Sequence, residues 1–326
     1  MKKDRSNASD TPDDSTGAAV NKSKNVYVDI NDLRRLQHQA KGFSFLTKQP
    51  VNSALSGKNV SKLRGRGLNF EELRHYRPGD DIRSMDWKVT RRTGKPHIKV
   101  YTEERERNVY LVVNQSSSMF FGSTNKMKSV IAAEISALMA WKVTDSGDRI
   151  GAIIFNDTKV KVVPAKRGKQ HVVNVLTEVV KMNHQLKVGK GRESNANSIN
   201  EALIKLSHIC GHNALIIIVG DGHGWDTKST QLIKNIRQHN DVIACQIYDP
   251  LEQQLPEMSN MVVSDGEKQI QFSSLNRNTQ DKYRASIEQQ ENRFESATRK
   301  NRIPLLFLNT LEPIEKQLRK ELGKVG

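Results

Sequence analysis

Asn114, Ser116 and Ser118 stand at alternate positions directly after the apolar run Val109-Tyr110-Leu111-Val112-Val113. In an extended segment alternate side chains share one side, which groups an amide with two hydroxyls. Asp221 follows a second apolar run, Ala214 to Val219, within Gly220-Asp221-Gly222. If the two runs are neighbouring strands of an open sheet, their loops meet at its carboxyl edge, where such sheets bind ligands. Hard oxygen donors with a single carboxylate suit magnesium, which keeps several waters and takes one or two carboxylates. The plainer reading is structural: the serines cap the helix that begins soon after, and Asp221 shapes a turn.

A second group is Asp80, Asp81 and Asp86. Clustered carboxylates can hold two metal ions for phosphodiester cleavage. Arg74, Arg77, Arg83 and Lys88 lie within a few positions of them, however, and charge pairing predicts a salt-bridged turn around Arg77-Pro78-Gly79-Asp80-Asp81. Trp87 is expected to anchor this turn in a core. Gly220-Asp221-Gly222-His223-Gly224 and Gly122-Ser123-Thr124-Asn125-Lys126 lack the spacing of a dinucleotide fingerprint and the ending of a phosphate loop. Ser118, Asp221 and His223 could form a hydrolase triad only on paper, because no Gly-x-Ser-x-Gly elbow is present. No catalytic residue is therefore assigned, and the chain is read as a non-enzyme.

The elements that must position these residues follow from periodicity. Continuous apolar strands at 109–113 and 214–219 require a sheet covered on both faces. Lys126 to Val143 is apolar nearly all round and reads as a deeply packed helix. Strand 150–155, a turn at Asn156-Asp157 and strand 159–163 form an antiparallel hairpin. Helices are expected at 29–41, 169–182, 198–209, 227–239, 278–300 and 311–322, with strands at 242–248 and 305–308. Short strands, including His97 to Tyr101, fill 68–107, and Gly57 to Gly67 reads as an exposed loop. The alternation predicts an α/β fold with a mostly parallel open sheet flanked by helices. The expected domains are a disordered tail at 1–25, a small N-terminal β-containing region at 26–107, and the α/β domain at 108–326.

Composition narrows the function classes. The 326 residues carry 52 Lys plus Arg against 36 Asp plus Glu, a formal charge of +16. The excess is spread out: 14 basic and 8 acidic residues between Lys58 and Arg107, 9 and 4 between Lys126 and Lys169. This charge fits an anionic partner, whether nucleic acid, an acidic protein face or a peripheral membrane surface. Two cysteines, Cys210 and Cys245, exclude a disulfide scaffold. The N-terminus lacks an apolar signal region and no apolar stretch approaches the roughly 20 residues of a membrane span, so a cytoplasmic protein is expected.

The strand and loop Val112 to Met119 resembles the Asp-x-Ser-x-Ser metal-ion-dependent adhesion site of von Willebrand factor A domains. The segment Arg74-His75-Tyr76-Arg77-Pro78-Gly79-Asp80-Asp81-Ile82-Arg83-Ser84-Met85-Asp86-Trp87-Lys88 resembles the signature of the bacterial family called domain of unknown function fifty-eight. Tyr248-Asp249-Pro250-Leu251-Glu252-Gln253-Gln254-Leu255-Pro256 resembles its downstream segment, and the likeness runs from about residue 40 to about 325. It implies a von Willebrand factor A-like domain behind a small β-rich region, and a MoxR-type AAA+ ATPase as protein partner. It also implies an altered metal site. Asn114 stands where the motif has Asp, and Asn197 where a later loop usually supplies Thr, while Ser116, Ser118 and Asp221 remain. With one carboxylate left, magnesium is expected to bind weakly or not at all. The expected function is thus a protein-binding adaptor with a degenerate adhesion site. The alternative is a nucleic-acid-binding or metal-dependent hydrolytic protein using its basic surface and Asp80, Asp81 and Asp86.

Overall fold

The computed structural model describes residues 25–42, 68–103, 106–187, 198–253, 261–264, 269–272 and 293–323. The expected tail, the Gly57–Gly67 loop, Asn197 and the first part of the 278–300 helix lie outside the described residues. In chain order the strands are β1 (Leu68–His75), β2 (His97–Glu103), β3 (Asn108–Asn114), β4 (Arg149–Phe155) and β5 (Val160–Lys166). They continue with β6 (Leu215–Gly220), β7 (Asp241–Tyr248), β8 (Met261–Ser264), β9 (Gln269–Phe272) and β10 (Leu305–Asn309).

Six strands form one sheet in the order β10-β7-β6-β3-β4-β5. All neighbours are parallel except β4 and β5, which make the expected edge hairpin. β3 and β6 are parallel neighbours, with Val109 opposite Leu215 and Val113 opposite Val219. Their apolar continuity has its reason in two cores. Val109, Leu111 and Val113 face the helices Lys128–Asp145, Lys169–Asn183 and Ile314–Leu322. Tyr110 and Val112 face Ser198–Ile209, Thr227–Arg237 and the helix at 293–300. Both sides of each strand are therefore withdrawn from water, as a covered parallel sheet demands. The 128–145 helix is buried on most of its circumference.

Residues 26–42 sit with the α/β core. Val28, Leu33 and Ala40 are buried in the same cluster as β3. The Val28 N–H donates to Asn183 Oδ1 at 2.9 Å, and Trp141 Nε1 donates to the Leu33 carbonyl at 3.0 Å. The β-containing part of the expected N-terminal region is the antiparallel pair β1–β2.

Between those two strands the structure has a helix, Trp87–Thr93, where only strands and turns were expected. Asp86 caps it by accepting from the Lys88 and Val89 N–H groups, and Gly94 ends it in the left-handed region at φ 70°. Trp87 is no core anchor: as the first residue of a short helix whose contacts to β2 are made by later positions, it stands 65% exposed. The β8–β9 pair is a further addition to the expected elements.

Candidate functional site

β3, β4 and β6 end side by side, bringing the loops after Asn114, Phe155 and Gly220 to one carboxyl edge. The chains approach closely there. A Cβ added to Gly220 would stand 3.0 Å from Asn114 Cβ, so glycine is what lets the second loop lie against the first. Asn114 Oδ1 accepts from the Ser116 N–H at 2.9 Å, an Asx turn that folds the serines back over the strand end. Ser116 Oγ and Ser118 Oγ are 3.1 Å apart. Asp221 Oδ1 accepts from Asn114 Nδ2 at 3.3 Å and from the His223 N–H at 3.0 Å, and Ser118 donates to the same carboxylate. Four expected residues, Asn114, Ser116, Ser118 and Asp221, thus converge, while Asn197 lies outside the described residues. Ser117 turns away, its N–H donating to Asp157 Oδ2 at 2.8 Å in the β4–β5 turn.

The residue that organises this edge is Lys128, which the sequence reading passed over. Its side chain is 3% exposed at the start of the buried helix. Its Nζ lies 3.1 Å from Asp221 Oδ2 and 2.6 Å from Glu252 Oε1. Burial alone would lower the Lys128 pKa, but the two carboxylates outweigh it and hold the ammonium above the ordinary lysine value. For Asp221, burial pushes the carboxyl up and Lys128 with the surrounding donors pulls it further down, leaving it below the ordinary value. Glu252 is shifted upward, because burial there exceeds what Lys128 returns. Asp221 is accordingly the carboxylate whose negative charge the site secures.

Asp249 fastens the neighbouring loops to each other. Fully buried at the end of β7, it accepts from the Ser123 N–H at 2.9 Å and from Thr310 Oγ1 at 2.6 Å. Asn125 Nδ2 donates to the Leu311 carbonyl at 3.1 Å, and the Lys128 N–H donates to the Phe121 carbonyl at 2.7 Å. The loop after β3 and the loop after β10 form one continuous edge, on which the Phe121 and Leu311 side chains are exposed.

Among the described residues the donor set does not fit a resident divalent cation. Both oxygens of Asp221 already accept hydrogen bonds, and the Lys128 ammonium occupies one of them. Two unit charges about 4 Å apart repel by about 4 kcal/mol at an effective dielectric constant of about 20, and a divalent ion doubles that. No group of three or more His, Cys, Asp or Glu residues suited to a metal occurs among the described residues. His223 offers Asp221 its backbone N–H while the residue is exposed, which is not the arrangement of a base beside a nucleophile.

Of the expected pairings around the second acidic group, Arg74 with Asp80 is an ion pair, Arg77, Arg83 and Lys88 contribute backbone N–H groups, and Asp86 pairs instead with Lys99. Arg74 holds Asp80 through two parallel bonds of 2.9 and 2.8 Å, and Asp80 also accepts from the Arg77 N–H at 2.8 Å. The hydrogen bonds from Arg74 keep the Asp80 pKa low. Asp81 accepts from the Arg83 N–H, and Asp86 combines its helix cap with an ion pair to Lys99 at 3.1 Å.

The model of the family described as "Protein of unknown function DUF58" matches residues 72–296. The chain belongs to this family. Uncharacterized proteins of Mycobacterium bovis and Mycobacterium tuberculosis are 28% identical to it over 242 residues, 74% of this chain and 74% of theirs. Among solved structures, the conserved hypothetical protein BatB from Bacteroides thetaiotaomicron aligns with 66% of this chain and 98% of its own, at 14% identity and a TM-score of 0.35. An uncharacterized membrane spanning protein from Vibrio fischeri aligns with 65% of this chain and 94% of its own, at 13% identity and a TM-score of 0.22. No helix among the described residues of the present DUF58 protein is long and apolar enough to cross a membrane.

Two signals pointed to the missed residues. Lys128 is a charge at the head of a helix whose next five residues carry none, and Asp249 directly follows strand β7 with Glu252 three residues on. Either would have nominated a buried ion pair had the facing loop been known.

Proposed function

We propose that this DUF58 protein is a non-enzymatic adaptor of von Willebrand factor A-like architecture that docks a protein partner on the carboxyl edge of its sheet. Its adhesion site is degenerate, and the Lys128 ammonium replaces the metal charge. The observation that carries this reading is Lys128 buried between Asp221 and Glu252, beneath loops that expose Phe121 and Leu311. The internal cation holds the Asn114–Ser118 loop and the Asp221 loop together without an ion from solution. Asp249 ties the adjacent loops, so the edge is a preorganised surface, which favours binding by reducing the ordering cost. Exposed apolar side chains on a polar, rigid frame suit a protein partner. The family resemblance nominates a MoxR-type AAA+ ATPase, and a cytoplasmic site of action fits that partner. The commitment of Asp80 to Arg74 and Asp86 to Lys99 speaks against a hydrolytic role for that group.

The test is interferometry with a purified MoxR-type AAA+ ATPase from the same genome. Binding is expected to be equal in magnesium and in chelator, and to be lost in the Phe121→Asp/Leu311→Asp variant. Absence of binding, or binding abolished by chelator, would overturn the reading.

A further inference from the structure

The three residues Leu73, Ile82 and Trp87 are 39%, 59% and 65% exposed. All belong to the hairpin segment, away from the carboxyl edge in sequence, and the proposed adaptor role makes no use of them. Leu73 stands opposite Lys99 in the β1–β2 ladder. Lys99 Nζ reaches Asp86 Oδ2, the cap of the Trp87–Thr93 helix. Leu73 and the start of that helix therefore lie on one side of the hairpin, and Ile82 leads into the helix through the turn Ile82–Ser84. Between Asp81 and Lys95 five basic residues (Arg83, Lys88, Arg91, Arg92 and Lys95) accompany two aspartates, and Asp86 is already neutralised by Lys99. All five are exposed.

We propose that this segment is an interfacial docking site for an anionic lipid surface, with Trp87 and Ile82 entering the headgroup region and the five basic residues meeting lipid phosphates. An exposed tryptophan and aliphatic side chains with exposed Lys and Arg beside them in sequence are the composition of a surface that lies in a membrane interface. Each basic residue near such a surface strengthens binding about fivefold. Nucleic acid is the less suited occupant, because Trp87 is a single stacking plane and Leu73 and Ile82 beside it offer none.

The chain supplies its own reporter. Of its three tryptophans, Trp141 and Trp225 are buried and Trp87 is exposed. Full-length protein is mixed with vesicles of equimolar phosphatidylcholine and phosphatidylglycerol, with pure phosphatidylcholine vesicles, and with a single-stranded DNA oligonucleotide. The expected result is a blue shift of tryptophan emission, and quenching by brominated acyl chains, with the anionic vesicles only. Flotation of Arg91→Gln and Arg92→Gln should each fall about fivefold. Trp87→Phe should still float but lose the spectral change. No shift with anionic vesicles, a response to DNA alone, or a spectral change that survives Trp87→Phe would each overturn the proposal.

Discussion

Asp221 at the carboxyl edge and Asp80 in the hairpin turn each face a basic side chain, in opposite surroundings. Lys128 and Asp221 keep 3% and 7% of their side-chain surface, whereas Arg74 and Asp80 keep 35% and 19%. In the turn, partners six residues apart pair locally, and solvent would receive either charge if the other were lost. At the edge, the partners come from segments 93 and 124 residues away, and neither charge has water to return to. The same chemistry is therefore a local fastener in one place and a condition of assembly in the other. A buried ammonium between two carboxylates fixes the register of three loops at once.

Removing one member of the buried group should have the largest effect. Lys128→Met leaves Asp221 and Glu252 uncompensated and should cost about 3–5 kcal/mol of unfolding free energy in denaturant titration. A cost below about 1 kcal/mol would put Lys128 in the same class as surface pairs. The pH dependence sharpens this point. Lys128 is raised above 10.5, so its contribution is complete below 10.5 and is lost as the pH rises through the raised value. Asp221 is lowered below 3.8, so its contribution is complete above 3.8 and is lost as the pH falls through the depressed value. The stability gap between wild type and Lys128→Met should persist from neutral pH to 10.5 and narrow beyond it.

Asp249→Ala comes next. It strands the Ser123 N–H and Thr310 hydroxyl, and a loss of about 2 kcal/mol is expected, with faster amide exchange in both loops. Glu252→Gln should cost less, about 1 kcal/mol, because Asp221 still balances Lys128 and the amide can accept from it. Asp80→Ala should have the smallest effect on thermal melting, and that effect should shrink in high salt. At about 1 M salt the screening length is about 3 Å, which weakens exposed pairs and spares the buried one.

What could be read in the sequence follows the same division between local and distant. Strand β3, the β4–β5 hairpin and the Arg74–Asp80 turn arise from neighbouring residues, and periodicity and charge spacing revealed them. The grouping of Asn114, Ser116, Ser118 and Asp221 followed once β3 and β6 were placed side by side. Lys128 was legible only as a charge at the start of a helix; its role depends on two partners in other loops, which the sequence does not bring together. Trp87 misled for a related reason. Aromatic residues are buried by default, and only the tertiary placement of a seven-residue helix leaves this one exposed.

The claim at the centre is that Lys128 serves as the resident cation of this edge, and calorimetric titration of the wild-type protein with magnesium tests it most directly. With Lys128 in that place, no saturable heat is expected up to millimolar magnesium, and the melting temperature stays unchanged. Saturable binding at micromolar magnesium, with a melting temperature that rises as the ion is added, would contradict it.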